Sequence, residues 1–297
     1  MQCIELCAGM GGMALGLNNA GFSHALCLEN NEKCIKTLKN NGIHNAVLQD
    51  VCKFEYDTSE KKNDEIHLVA GGVPCQGFSN AGLHMGEHDP RNLWNDAIRI
   101  VRDVNPRAFF FENAQSMLGP KHLNYLNEIV TAFESMNYRV WKHKVDMSLY
   151  GCPQKRVRLF LIGIRSEFAH KYDKPITNPK HTKTVRMVIS DLVPFENDHV
   201  FHTARACVYK GHTPSVLDKP SKTIVAGTHG CGGGTNTIQL DDGSVRYYTP
   251  REMARIQMFP DTFVLPTTWT DTVKQLGNAV PPPVVCMFAK AIRHAIE

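Results

Sequence analysis

Over its first 165 residues the chain alternates short apolar runs with amphipathic stretches, the pattern of repeated strand–helix–strand units. This periodicity predicts strands near residues 2–6, 24–29, 45–49, 66–70, 107–111, 139–146 and 158–165. Helices are expected between them, near 12–20, 31–40, 91–103 and 121–136. The run AFFFEN (108–113) stays apolar until its last two residues, as a strand covered on both faces should. The expected fold is therefore α/β: a doubly wound, mostly parallel sheet with helices on both sides. A chain of 297 residues can bury such a core and still supply a second, smaller unit.

Beyond about residue 166 the alternation stops. Pro175, Pro179, Pro194, Pro214 and Pro220, with the stretch GCGGGTN (230–236), predict a loop-rich region of irregular strands. Helical patterning returns at TPREMARIQMF (249–259), where Thr249 can cap and Pro250 fits the first turn. A last helix is expected over 282–296. The ten cysteines show no CxxC pair, and the chain opens on a strand-like segment rather than a secretory leader, so a reducing, cytoplasmic setting is expected. No apolar stretch has membrane-spanning length. A net charge of +4 fits a polyanion partner and an ordinary charge balance equally.

Three constellations carry chemistry. The first is ELCAGMGGMALGL (5–17), in which Gly9, Gly11 and Gly12 lie between a strand and a helix, where backbone can approach a ligand. Glu29 and Asp50 end the next two strands, positioned either to bind a nucleoside or merely to cap helices. The second joins GGVPCQGFS (71–79) to FFFEN (109–113), placing Cys75 and Glu112 beyond carboxyl ends of strands, where α/β sheets collect ligands. Cys75 suits a nucleophile, although most single cysteines are small buried hydrophobes. Glu112 could donate a proton to a ring nitrogen or be satisfied by backbone groups. The third is PQKRVRLFLIGIR (153–165), where alternation predicts that Gln154, Arg156 and Arg158 share one strand face. The arginines could bind a base carbonyl, a phosphate, or Glu112.

These motifs, followed by TPREMARIQMFPDTF (249–263) and QLGNAVPPPVV (275–285), resemble in order those of the DNA cytosine-5 methyltransferases of bacterial and phage restriction–modification systems. The resemblance covers the chain except about residues 168–245. It implies a Rossmann-like, S-adenosylmethionine-dependent methyltransferase fold. The catalytic, cofactor-binding domain would comprise 1–175 and 270–297, and the target-recognition domain 176–269. It implies that Cys75 attacks carbon 6 of a cytosine flipped out of double-stranded DNA. Glu112 would hydrogen-bond ring nitrogen 3 and the exocyclic amine, and Arg158 the base carbonyl, with Gln154 and Arg156 completing the catalytic set.

The resemblance also implies a cofactor pocket formed by Cys7, Ala8, Gly9, Met10, Gly11, Gly12, Glu29, Asn30, Asp50, Val51, Gly72, Pro74, Leu93, Asn278, Ala279 and Val280. DNA contacts would come from Gln76, Ser79, Arg91, Lys222, Thr223, His229, Gly232 and Gly233. Lys222-Thr223-Ile224 resembles the family's Thr-Leu/Ile recognition marker, and the loop near 79–91 would close over DNA. No metal is implied. The expected protein is a monomer, acting either alone or beside a separate cognate endonuclease. Two positions depart from the family pattern: Cys7 stands where Phe is usual, and Ala114 where Val is usual. A transfer-RNA cytosine methylase of the same fold would carry a CFT-type signature, which is absent between Thr177 and Arg246. A nicotinamide dehydrogenase would leave Cys75, Glu112 and the arginine pair unexplained.

Overall fold

The computed structural model describes residues 1–57, 65–74, 92–177, 182–204, 206, 208, 213–227 and 235–297. The first part of the chain runs β1 (Gln2–Leu6), α1 (Gly12–Asn19), β2 (Ser23–Glu29), α2 (Glu32–Asn40), β3 (Ala46–Leu48) and β4 (Ile66–Gly72). It continues through α3 (Trp94–Val104), β5 (Ala108–Ala114), α4 (Leu123–Glu134), β6 (Tyr138–Asp146) and β7 (Val157–Arg165). These seven strands form one sheet in the order β3-β2-β1-β4-β5-β7-β6. The first five are mutually parallel, and β7 runs antiparallel between β5 and β6.

Alternation along β5 explains how the sheet is covered twice. Phe110 packs with Phe160 and Phe288 on one face, while Phe109 and Phe111 pack with Phe133 and Ile100 on the other. The Phe109 ring lies 4.0 Å from that of Phe133, centre to centre. It also fills the space over its cross-strand partner Gly163, where a methyl group would sit 2.0 Å from the ring. A side chain at 163 would therefore displace the core.

The remaining elements are α5 (Arg186–Ile189), β8 (Ser215–Val216), β9 (Thr237–Gln239), β10 (Val245–Tyr247), α6 (Pro250–Ile256), α7 (Trp269–Asn278) and α8 (Pro282–Ile296). Strands β8–β10 form a separate three-stranded sheet. Thr249 caps α6 with Pro250 in its first turn, as expected from the sequence, and Glu252 completes a capping box. Helix α7 was not anticipated. Its apolar residues Val273 and Leu276 join Met253, Ile256, Ile224 and Ile238 in a core that also takes in Met10. Helix α8 returns to pack beside α1, burying Phe288 and Ile292 in the core of the large sheet. Among the described residues no helix is long and apolar enough to cross a membrane, and the seven described cysteines are free thiols.

Candidate active site

Because β3, β2, β1, β4 and β5 are parallel, their carboxyl ends lie along one edge of the sheet. A cleft of about 770 Å³ opens there. Of the residues expected around the cofactor, Cys7, Ala8, Gly9, Met10, Gly12, Glu29, Asn30, Asp50, Val51, Gly72, Pro74, Leu93, Asn278, Ala279 and Val280 line it. Gly11 does not; a side chain there would meet Leu38 instead. The glycines serve different purposes. Gly9 has φ +57° and open space where a Cβ would stand, whereas a Cβ on Gly12 would sit 2.4 Å from the Val280 carbonyl oxygen. Gly12 thus allows the turn and the Ala279–Val280 segment to close on each other.

Glu29 organises the turn. Its two carboxylate oxygens accept the Gly9 N–H at 2.8 Å and the Asn31 N–H at 3.0 Å. Asp50 accepts the Cys52 N–H and caps a short 3-10 turn. Cys7, at φ +54°, lines the cleft, and burial followed by the Glu29 carboxylate pushes its thiol up. Carboxylates from Glu5, Glu29, Glu32, Asp50, Glu112 and Asp271 line the cleft against two lysines, Lys33 and Lys274. Lys33 is itself paired with Asp271 at 2.8 Å. Such a lining suits a cationic ligand.

At the other end of the cleft stands Glu112. It pairs across the sheet with Gly72 on one side and Phe160 on the other. Arg158 faces Ala114, two residues along, so its side chain falls on the same face as Glu112. The Arg158 Nε lies 3.0 Å from Glu112 Oε1, and both side chains are largely buried. Asn113 donates to the Val73 carbonyl oxygen and ties β5 to the segment leading out of β4. Cys75 follows that segment directly in sequence but lies outside the described residues, as do Gln76, Ser79, Arg91, His229, Gly232 and Gly233.

The expectation that Gln154, Arg156 and Arg158 share one face toward the site requires correction. Strand β7 begins at Val157, so the period of two does not extend back to Gln154. Gln154 instead accepts the Ile224 N–H at 2.7 Å and donates to Gln257. Arg156, 1% exposed, donates to the carbonyl oxygens of Ile224 and Gly277 at 3.1 and 3.0 Å. Both residues tie the large sheet to the smaller unit, while Arg158 alone of the three meets Glu112. Lys222 donates to the Thr213 carbonyl and hydroxyl, and Thr223 donates to the Lys155 carbonyl oxygen. These two expected DNA-facing residues therefore also hold the local loops together.

Several cleft residues escaped the sequence reading: Glu5, Lys33, Asp271, Lys274 and Gln275. The last three belong to α7. Its signals were Thr268, which caps through the Asp271 N–H, and apolar residues at 269, 273 and 276.

A model of the family described as C-5 cytosine-specific DNA methylase matches residues 1–226 and 201–294. A type II methyltransferase of Neisseria gonorrhoeae, M.NgoMIV, is 32% identical over 99% of this chain and 97% of its own length. M.HindV of Haemophilus influenzae, another type II methyltransferase, is 31% identical over 98% of this chain and 96% of its own. Among solved structures, a variant of Spodoptera frugiperda DNMT2 superposes with a TM-score of 0.78 over 98% of this chain and 99% of its own. At 19% identity, that match speaks to the fold alone.

Proposed function

The chain belongs to the C-5 cytosine-specific DNA methylase family, and from that premise we propose the reaction and the residues that carry it. The enzyme transfers a methyl group from S-adenosylmethionine to carbon 5 of a cytosine in a short, specific double-stranded DNA site. It acts as a cytoplasmic monomer, either as the modification enzyme of a restriction–modification system or alone. The single observation that best supports this reading is the Glu112–Arg158 pair, 3.0 Å apart, in an acidic cleft at the carboxyl edge of a parallel sheet.

The cleft fits the cofactor on chemical grounds. Its carboxylates suit a molecule that carries a sulfonium and an ammonium, and Gly9 leaves room for close approach to the backbone. In this reading Glu29 and Asp50, both lining the cleft, take the ribose hydroxyls and the adenine amino group. When bound, the cofactor supplies an electrophilic methyl group.

The chain's own residues prepare the base to accept it. Extruding a cytosine from the duplex costs a few kcal/mol and gives Cys75 access to carbon 6. The Cys75 thiolate adds there, and the electron pair of the 5,6 double bond shifts toward the ring carbonyl and nitrogen 3. Glu112 hydrogen-bonds nitrogen 3 and the exocyclic amine, stabilising that shift. Arg158, held against Glu112, hydrogen-bonds the carbonyl oxygen. Carbon 5 then behaves as an enamine carbon and is methylated. Loss of its proton re-forms the double bond and expels the Cys75 thiolate. Gln154 and Arg156 position the smaller unit, which carries the target-recognition surface, and touch no reacting atom.

Bisulfite sequencing of DNA from cells that express the protein tests the proposal. Conversion-resistant cytosines at one short motif, lost with Cys75→Ser, are expected. Fully converted DNA carrying methylated adenine would overturn the reading.

A further inference from the structure

Asp50 reaches the cleft on a turn whose own bonds do not place it. Strand β3 before it has three residues, and the Gln49 N–H extends its pairing with β2 by donating to the Glu29 carbonyl oxygen at 2.9 Å. The chain then turns through Val51–Lys53, where the backbone bonds close back on the turn. Lys53 N–H donates to the Asp50 carbonyl oxygen at 3.0 Å, and Phe54 N–H to that of Val51 at 3.2 Å. The Asp50 carboxylate accepts the Cys52 N–H of the same turn. Wherever the turn sits, the carboxylate goes with it.

Arg99, on α3, grips that turn from outside the cleft. Its Nη1 donates to the Phe54 carbonyl oxygen at 2.7 Å and its Nη2 to the Val51 carbonyl oxygen at 3.1 Å, so one guanidinium spans both ends. A planar fork can serve two carbonyls at once, which a single ammonium cannot. Its own helix aims it, with Asp96 at 3.2 Å one turn earlier and Asp103 at 3.9 Å one turn later. Exposed ion pairs at that spacing contribute little, whereas a charged donor on a carbonyl makes one of the stronger hydrogen bonds. The Arg99 side chain is 32% exposed, so its contribution lies in these bonds rather than in filling the core.

Val51 and Phe54 also rest on the apolar cluster beside α3. Such contacts are non-directional, so they keep the turn near the core and leave its orientation to the hydrogen bonds. Gln49, Asp50 and Val51 line one end of the cleft. Without the Arg99 bonds the turn keeps its internal bonds but is free to swing about the Gln49 pairing. A site that holds its binding position for only a fraction of the time binds more weakly by that fraction. The loss is selective: it falls on whatever ligand group Asp50 holds.

We propose that Arg99 is a positioning residue that sets the protein's preference for adenine, by holding the Val51–Lys53 turn, and with it Asp50, against α3. The inference rests on the cofactor reading given above, with Asp50 on the adenine amino group.

Calorimetric titration with S-adenosylhomocysteine and with S-inosylhomocysteine, which carries a carbonyl in place of the amino group, tests it. Wild type should prefer the adenine ligand roughly 10- to 100-fold, the range for a lost hydrogen bond to a charged group. In Arg99→Met, a turn in place about a tenth of the time weakens S-adenosylhomocysteine roughly tenfold. The inosine ligand should bind that variant and wild type within about twofold of each other, because the group that Asp50 holds is missing. Arg99→Lys, which can reach one carbonyl, should fall between the two and carries the comparison if Arg99→Met does not fold. Equal losses for both ligands, or none for either, would overturn the assignment, since a merely structural arginine would not change the preference between them. Failure of the wild type to bind S-adenosylhomocysteine, or to distinguish it from the inosine ligand, would instead refute the cofactor reading beneath it.

Discussion

Replacing Arg156 by Met separates a structural from a catalytic role for the QKRVR segment. The guanidinium is 1% exposed and spans two carbonyl oxygens from distant parts of the chain, Ile224 at 3.1 Å and Gly277 at 3.0 Å. Methionine approximates its length but donates nothing, so both carbonyls lose their donor. At about 1.5–3 kcal/mol for each hydrogen bond to a charged group, the loss is roughly 3–6 kcal/mol. That is a large share of the about 5–15 kcal/mol that separates a typical folded domain from its unfolded state. Arg156→Lys should recover part of it, since one ammonium can reach one carbonyl but lacks the guanidinium's fork. Denaturant unfolding followed by tryptophan fluorescence, with methyl transfer assayed well below the transition, measures both consequences. The expected pattern is an unfolding midpoint that falls steeply from wild type through Lys to Met. Activity should be retained in proportion to the folded, cofactor-bound fraction. An unchanged midpoint with abolished turnover would refute the structural assignment and return Arg156 to the catalytic set.

Other perturbations should be more local. Glu112→Gln should reduce turnover by about 10²–10³-fold, the range seen when a charge-stabilising group is lost, and leave S-adenosylhomocysteine affinity nearly unchanged by calorimetry. Thr249→Ala removes the α6 cap and a 2.8 Å contact with His199; a stability loss of about 1–2 kcal/mol, largely restored by Ser, is expected in denaturant titration. Burial and, secondarily, Lys174 lower the His143 pKa from 6.5 to about 4. The unfolded chain therefore binds more protons than the folded one in that interval. Stability should fall as pH drops from about 6.5 toward 4, and His143→Phe should flatten that part of the melting-temperature profile.

Fold and site differed in how far local sequence pattern could reveal them. The central sheet was legible because Phe109, Phe110 and Phe111 must be covered on both faces, and such a run has few alternatives to a central strand. The carboxyl edge followed from that, and with it the neighbourhood of Glu29, Asp50 and Glu112. Helix α7 was not legible, because Thr, Asp, Lys and Gln dominate it and three apolar positions carry its buried face. Gln154 and Arg156 were misplaced for a different reason. An alternation argument assumes an extended strand, and β7 begins only at Val157. Their partners Ile224, Gln257 and Gly277 lie 68 to 121 residues away, where no local pattern could announce them.

The central claim is that Cys75 forms a bond to the cytosine before the methyl group moves. Duplex DNA carrying 5-fluorocytosine at the methylated position tests this most directly, because fluorine at carbon 5 blocks the elimination that would free the enzyme. In the presence of S-adenosylmethionine, mass spectrometry should find a stoichiometric covalent complex mapping to the peptide that contains Cys75, and none with Cys75→Ser. Methyl transfer without any adduct, or an adduct on another residue, would contradict the account.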